Sequence, residues 1–511
     1  MASRALRFRL HVLGAIAFAA YGALALMSYA QAPVLWPAVT SPNAAAFFER
    51  LGKDFPVVGL ARLFADNTAV IVAYAIPLGV ASVAALLALW MLIRRGAPPD
   101  PGTVRLLFRW SIAFAAVSAL GFPVFTQDFW LSAVWGRMIA SGENPYHALF
   151  TPDALTGLPL DHFPMLMSWG PLWGVVSGAV MALAGSSVLA AAILLKSILA
   201  AAWIGALVLV VRITERAAAG QSALAVAVLG WTPLGVTQTL LEAHNDIAMA
   251  SLALLWLALL LRGRIMAPLA LAASVLCKYA MAPLFLVDAL YALRQERRAW
   301  RDHARRMIAP ALLVIAGVAL FYRSPEFFDG VRLVSTWHFL RPIDGVEAIE
   351  DYLGIGLLPL RAAVLALFPA VAGYCMVVLV RRPTAETLAK AALAMMCAIV
   401  FSAASHVWPW YLVWVLAPAA LVPAWWLSRF TVGAAVMAPF MVALWWVPAL
   451  DNGEGVGALA MYAGAAVWML VTRGAGASGA SLAHGQIPGG ASDARPGQAH
   501  PALPPANRTE S

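Results

Sequence analysis

The amino-acid sequence predicts an all-α, polytopic integral membrane protein, and three observations carry that prediction. Hydrophobic residues make up 62% of the chain, charged ones 12%, and mean hydropathy is +0.80, against roughly 45–50% apolar and 25% charged in soluble domains. Apolar runs such as 70–93, 189–211, 356–380 and 431–449 reach or approach the ~20 residues that cross a ~30 Å hydrocarbon core as helix. The cations gather at the ends of such runs: Arg94, Arg95, Arg105 and Arg109, then Arg212 and Arg216, then Arg294 to Arg306. Positive-inside sorting therefore accounts for the net charge of +9 and the pI near 9.7, and no nucleic-acid partner is implied.

The elements follow in order from these rules. Three arginines, an apolar stretch from Leu10 to Met27 and the triplet Ala30-Gln31-Ala32 imitate a signal peptide. The stretch exceeds the usual 7–15-residue core, so an uncleaved first helix at about 10–30 is expected. With the cationic clusters in the cytoplasm, helices at about 70–93 and 106–125 put a polar segment, 126–188, outside. Within it, GPLWGVVSGAVMALAG reads as an interfacial helix, because a crossing there would carry Arg212 and Arg216 outside. Helices at about 189–211, 222–241 and 247–262 come next, the last two joined by the outer turn LEAHND at 241–246. Segment 266–291 has basic clusters at both ends and must cross an even number of times, yet it is too short for two full spans. That predicts two half-helices meeting near Cys277-Lys278-Tyr279, an arrangement tolerated where broken helices line a polar cavity.

Further helices at about 307–322, 356–380, 388–404, 411–427, 431–449 and 456–472 leave outer segments at 323–355, 405–410 and 450–455. The total is about 12 to 14 crossings. The chain thus divides into an N-terminal transmembrane hairpin (1–105), a main transmembrane domain (106–473) that carries the outer segment 126–188, and a Gly/Ala/Ser/Pro-rich tail (474–511), expected to be disordered. Both termini fall in the cytoplasm. Cys277, Cys375 and Cys397 lie in apolar segments and read as packing residues.

The chemistry collects on the outer side. Residues 121–173 form a polar, aromatic-rich segment carrying Asp128, Arg137, Glu143, Asn144, Asp161 and His162, far longer than a connection needs. Glu242, His244 and Asp246 share one turn; Arg341 and Asp344 stand in a later loop; SHVWPWY at 405–411 adds His406, Trp408 and Trp410. Carboxylates and amides beside aromatic faces suit a carbohydrate, whose C–H faces stack on rings while its hydroxyls take hydrogen bonds. No GxSxG, CxxC, Walker loop or HExxH is present, so a covalent hydrolase or an ATP-driven machine has no support. A lipid-linked sugar flippase, another transporter or a polysaccharide polymerase stays open, since broken helices and intramembrane cations also serve transport.

Several of these motifs, in this order and on one side, resemble a family. Asp128 at the start of a large outer loop, Gly136-Arg137 with Gly142-x-Asn144-Pro145-Tyr146, the W-GPLW helix, His244-Asn245-Asp246 and the Lys278-Tyr279 break look like polytopic GT-C glycosyltransferases. The similarity is to bacterial polyprenyl-phosphomannose-dependent mannosyltransferases, over roughly residues 106–450. The resemblance implies a sugar, mannose by analogy, carried on polyprenyl phosphate and transferred to a cell-envelope glycan or lipid acceptor at the periplasmic face of the inner membrane.

Inverting transfer needs one carboxylate to take the acceptor proton and cations to steady the departing phosphate. Asp128 is the first candidate base, with Asp246 and Glu242 behind it; its other reading is a helix cap or a partner of Arg137. Lys278, read as the one cation inside an apolar segment away from a helix-end cluster, is the first candidate for the phosphate, followed by Arg137 and Arg341. A bland alternative for Lys278 is snorkelling or pairing with a buried acid; otherwise Lys278→Met is expected to insert as well as the native chain. Asn144, Tyr146, Trp169, His244, Asn245, His406, Trp408 and Trp410 are candidate contacts to sugar or acceptor, the two tryptophans equally readable as interfacial anchors. One histidine and one aspartate in a turn do not make a metal site, so no cofactor is expected, a divalent ion at His244, Asn245 and Asp246 being the alternative.

Overall fold

A computed structural model of the chain describes residues 2–35, 42–54, 58–59, 61, 64, 66–95, 100–160, 165–295, 300–444 and 453–473. Asp161, His162, Arg297, Arg298, the start of the 450–455 segment and the 474–511 tail lie outside the described residues. Among the described residues there is no strand. The first half runs α1 (Ala2–Leu35), α2 (Pro42–Asp54), α3 (Asn67–Arg95), α4 (Pro101–Ala119), α5 (Asp128–Ala140), α6 (Pro152–Leu155), α7 (Pro171–Ala184), α8 (Val188–Ala217), α9 (Ser222–Gly230), α10 (Pro233–Val236) and α11 (Asp246–Leu260). The second runs α12 (Ala267–Cys277), α13 (Leu284–Gln295), α14 (Trp300–Phe321), α15 (Asp329–Ser335), α16 (Pro342–Leu353), α17 (Leu358–Arg381), α18 (Ala385–Ala398), α19 (Leu412–Ala419), α20 (Trp426–Leu444) and α21 (Gly453–Arg473).

Seven of these helices are long and apolar enough to cross a membrane, or eight if one bent pair counts as a span. The expected 12 to 14 crossings are therefore not reached by length and composition among the described residues. The shortfall has physical causes. The expected helix at 222–241 is bent by 64° between Ser222–Gly230 and Pro233–Leu241, because Pro233 cannot donate to the preceding turn and forces a new helix start. Asp246–Leu260, Ala267–Cys277 and Pro409–Ala419 are apolar but short. Pro171–Ala184 is a separate 14-residue helix, as the interfacial reading of GPLWGVVSGAVMALAG anticipates.

The break at Lys278 is present. α12 ends at Cys277, Lys278 takes an extended backbone (φ −149°, ψ 131°), a single 3-10 turn covers Tyr279–Met281, and α13 begins at Leu284. Pro283, immediately before α13, and Lys278 itself interrupt what hydropathy alone would draw as one helix.

The first two long helices belong to the same bundle as the rest. Tyr29 Oη donates to the Leu120 carbonyl (2.6 Å), Ser28 Oγ accepts from the Phe122 N–H (2.7 Å), and the Tyr74 and Phe125 rings meet edge to face at 4.5 Å. The segments read as outer loops also meet: Asn144 Nδ2 donates to the Phe321 carbonyl (2.6 Å), the Arg323 N–H to His147 Nε2 (3.3 Å), and the Val407 N–H to the Phe339 carbonyl (2.6 Å). Three chain segments distant in sequence thus share one end of the bundle. A topology test follows. In a background lacking the three native cysteines, exposed single cysteines at Ser141 and Ser335 are expected to react with a membrane-impermeant thiol reagent applied outside. One at Asp302 should stay unlabelled until the membrane is opened, and labelling of Asp302→Cys in sealed cells overturns the sidedness.

Candidate active site

The site is assembled by helix ends. Short connections make α11 and α12 an antiparallel hairpin, with Ser274 Oγ bonded to the Met249 carbonyl (2.8 Å), so the first residue of α11 meets the last of α12. Asp246 opens α11 and Lys278 closes α12. Each charge sits at the helix end whose dipole favours it, carboxylate at the N-terminus and ammonium at the C-terminus. The two form a bidentate pair, Lys278 Nζ lying 2.7 and 2.8 Å from the two Asp246 oxygens. Trp414 Nε1, from α19, donates to Asp246 Oδ1 (2.5 Å). The Asp246 side chain is fully buried and that of Lys278 is 9% exposed.

Around the ammonium stand three rings, Trp169, Tyr411 and Trp414, with centroids 5.9, 5.5 and 5.8 Å from Nζ. Such contacts add cation–π attraction, strongest where water is excluded. Gly170 holds Trp169 in place: its N–H donates to the Cys277 carbonyl (2.9 Å), which the end of α12 would leave unpaired. A Cβ at Gly170 would lie 2.1 Å from the Leu276 carbonyl oxygen, so no other residue fits this crossing.

Asp128 opens α5, its N–H given to Thr126 Oγ1 (3.1 Å). Its Oδ2 lies 3.1 Å from His244 Nδ1; an ionised carboxylate only accepts, so Nδ1 carries the hydrogen. The imidazole stacks on Trp410 (3.9 Å, 17°), which stacks on Trp408 (5.0 Å, 3°). This three-ring column fixes the histidine that orients Asp128. Ala243, just before it, has φ +58°, a left-handed conformation that costs a residue with a Cβ about 1–2 kcal/mol, and it turns Glu242 and His244 to different partners.

The three candidate carboxylates are not equivalent. Glu242 is fully buried, and its Oε2 accepts from the Val124 and Phe125 N–H groups (3.0 and 3.1 Å). It fastens the chain leading into α5 and, on this geometry, does not face a substrate. Asp246 is consumed by Lys278 and Trp414. Asp128 alone of the three has side-chain exposure, 21%, and its Oδ1 has no partner among the described residues.

The other expected residues divide the same way. His406 joins the aromatic wall, its Nε2 2.9 Å from the Tyr411 hydroxyl. In the turn before α11, Asn245 is buried at 3% exposure and neither side-chain heteroatom is bonded among the described residues. Asn144 and Tyr146 are engaged in the framework. Asn144 Oδ1 accepts from the Tyr146 N–H (3.1 Å), and the Tyr146 hydroxyl donates to the Trp169 carbonyl (2.8 Å) while its ring stacks on Phe327 (4.5 Å). Arg137, about 13 Å along α5 from Asp128, donates to the Ala154 and Thr156 carbonyls rather than to Asp128. Arg341 is bound to Asp344 at the start of α16 (Nε–Oδ1 2.8 Å). Neither arginine is brought to Lys278. Among the described residues no group of three His, Cys, Asp or Glu is placed to hold a metal ion.

Two features escaped the sequence. Lys278 is not the only cation within an apolar segment: Lys196 lies in α8 and donates to the Gly121 and Leu241 carbonyls, at the ends of α4 and of the bent pair. The polarity rule applied to Lys278 would have found it. Tyr411 and Trp414, three apart on one helical face, complete the cage with their rings stacked at 4.2 Å. A large cavity also borders α5: about 1040 Å³, walled by apolar residues including Phe129, Trp130, Leu189 and Ile193, with Arg50, Arg137 and Lys196 among its lining.

A family model described as alpha-(1->6)-mannopyranosyltransferase, N-terminal domain, matches residues 34–294, which hold Asp128, His244, Asp246 and Lys278. The chain belongs to that family. As a member it is a membrane-embedded glycosyltransferase, and the match reaches back well before residue 106. Alpha-(1->6)-mannopyranosyltransferase A of Mycobacterium tuberculosis (strain ATCC 25618 / H37Rv) is 25% identical over 370 residues, 66% of this chain and 69% of that relative. No solved structure matches.

The ion pair changes one expectation. Lys278→Met leaves Asp246 buried without its counter-charge, which costs about 3–5 kcal/mol, so expression should fall rather than hold. Lys278→Met combined with Asp246→Asn should regain most of the folded yield while staying inactive, as read by monodisperse protein recovered from membranes and by transfer. A single variant as abundant as the native protein overturns the pair. A second expectation concerns pH. Burial, aided by Lys278 and His338, pushes His406 down to about 4 from 6.5. The unfolded chain then binds the proton first, so stability is lost as pH falls from 6.5 toward 4. Thermal unfolding across that window should be flatter for His406→Gln, and an equal slope removes His406 as the cause.

Proposed function

We propose that this protein transfers a mannosyl residue from polyprenyl-phosphate mannose to a hydroxyl of a cell-envelope glycan or lipid acceptor at the periplasmic face, with inversion and with Asp128 as general base. The observation that carries the reading is the contrast among the carboxylates. Of the three candidates only Asp128 has side-chain exposure together with an oxygen unpartnered among the described residues, and it is joined through His244 to the ring column beside the turn that carries Asp246. Family membership supplies the mannosyl group and points to an alpha-1,6 linkage.

In the reaction the acceptor oxygen forms a bond to the anomeric carbon as its proton passes to Asp128, and the bond from that carbon to the phosphate oxygen breaks. Polyprenyl phosphate leaves with the electron pair. An inverting displacement that makes an alpha linkage consumes a beta-linked donor. His244 holds Asp128 in the orientation that keeps Oδ1 toward the acceptor. Lys278 has three N–H donors, two engaged by Asp246; we assign the third to the leaving phosphate, where it acts in a site largely closed to water. Trp410 is stacked between His244 and Trp408 and braces the wall, so the partly exposed Trp408 is the ring assigned to stack on a pyranose. The apolar cavity beside α5 supports a lipid-linked substrate, with space along α8 and with Arg50, Arg137 and Lys196 among its lining.

The test is transfer in membranes supplied with polyprenyl-phosphate mannose and extracted envelope glycans. Asp128→Asn preserves size and polarity and is expected to lower turnover by about 10²–10⁴-fold, the usual contribution of a general base, at unchanged abundance. Near-native turnover of that variant removes Asp128 from the base role.

A further inference from the structure

A separate cleft lies at the far end of α4 and α8 from the active site. Its volume is about 310 Å³, and it is lined by Val104, Arg105, Phe108 and Arg109 of α4 and by Val208, Val211 and Arg212 of α8. Lys196 marks the active-site end of α8, where it holds the C-terminal ends of α4 and of the bent pair. Arg212 follows it by about 24 Å of helix, so the cleft opens toward the other membrane face.

The charge in this cleft is unbalanced. Arg105, Arg109 and Arg212 make no ion pair or hydrogen bond among the described residues, and no acid lines the cleft. Nearby acids are engaged elsewhere: Asp100 with Arg7 (2.7 Å), and Glu215 with the Ser222 hydroxyl. Arg105 and Arg109 stand one turn apart on the same face of α4, and Arg212 faces them from α8. Between them the walls are valine and phenylalanine. Positive-inside sorting explains arginines at this end but not their convergence on a roomy apolar cleft; one water takes ~30 Å³, so this space admits a headgroup.

We propose that the Arg105, Arg109 and Arg212 cleft binds the phosphate of an anionic phospholipid, with the first part of an acyl chain against Val104, Phe108, Val208 and Val211. Guanidinium groups suit a phosphodiester through their planar fork, and basic pockets between transmembrane helices recognise anionic headgroups. A free anion would gain nothing from the apolar walls, which is why the lipid is the assigned source. Arginine keeps its charge at all ordinary pH, so binding should weaken with salt and not with pH between about 5.5 and 8.5.

The experiment uses the full chain in detergent, with retained lipid counted by native mass spectrometry after titration with phosphatidylglycerol or phosphatidylcholine. The native protein is expected to hold phosphatidylglycerol selectively. Arg105→Gln, Arg109→Gln and Arg212→Gln together should weaken it about a hundredfold, about fivefold for each cation near the surface, while mannosyl transfer stays at native level. Arg109→Gln alone, about fivefold weaker, keeps the test valid if the triple variant folds poorly. Arg473→Gln, an exposed arginine elsewhere, should change nothing. Unchanged selectivity in the variants, an equal loss in Arg473→Gln, or displacement of the lipid by millimolar inorganic phosphate each overturns the proposal.

Discussion

The buried pair between Asp246 and Lys278 constrains everything around it. Two charges taken out of water lose several kcal/mol of hydration each, and only close geometry with further hydrogen bonds recovers it. Here the recovery comes from the helix architecture. Placing Asp246 at the start of α11 and Lys278 at the end of α12 puts both charges where the dipoles favour them, and Trp414 adds a donor to Asp246 Oδ1. The pair requires α12 to stop where it does. A continuous helix through 266–291 would carry Lys278 past the end of α11 and strand both charges.

That stop creates a second obligation, since the last carbonyls of a short helix inside the protein need partners. The loop before α7 provides one through the Gly170 N–H, and in doing so it delivers Trp169 to the ammonium. Tyr146 holds the Trp169 carbonyl, and Asn144 holds Tyr146 and the end of α14. The conspicuous polar residues of the outer loop therefore serve the site at one remove. They satisfy backbone groups so that an aromatic ring lands on a cation, while Asp128, on the same loop, is left free for the proposed chemistry.

This division explains what could be read from sequence. The break at Lys278 followed from charge bookkeeping alone, because basic clusters at both ends of a segment too short for two spans leave few solutions. Asp128 was singled out as a carboxylate at the mouth of an over-long loop, and the structure leaves its Oδ1 without a partner among the described residues. Asn144, Tyr146, Arg137 and Arg341 look identical to site residues in sequence, since a side chain that binds a backbone carbonyl and one that binds a sugar hydroxyl have the same chemistry. Only the partner distinguishes them, and the partners lie up to 177 positions away. The bend at Pro233 and the early end of α19 were hidden because hydropathy measures solvent preference, not helix continuity.

The same logic separates the two intramembrane lysines. Lys196 meets two backbone carbonyls at helix C-termini, while Glu242, next in the chain to Leu241, fastens the extended entry to α5. Both of those carbonyls belong to helix ends whose own hydrogen-bond partners have run out, so the two bonds of Lys196 go to the backbone and not to a counter-charge. Lys278 meets one carboxylate with two of its three donors and is otherwise faced by rings, which attract a cation but accept no conventional hydrogen bond. A donor left over inside a low-dielectric pocket suits an anion, which is what the proposed leaving-phosphate role asks of it, and Asp128 stands in the same turn-and-ring assembly across His244.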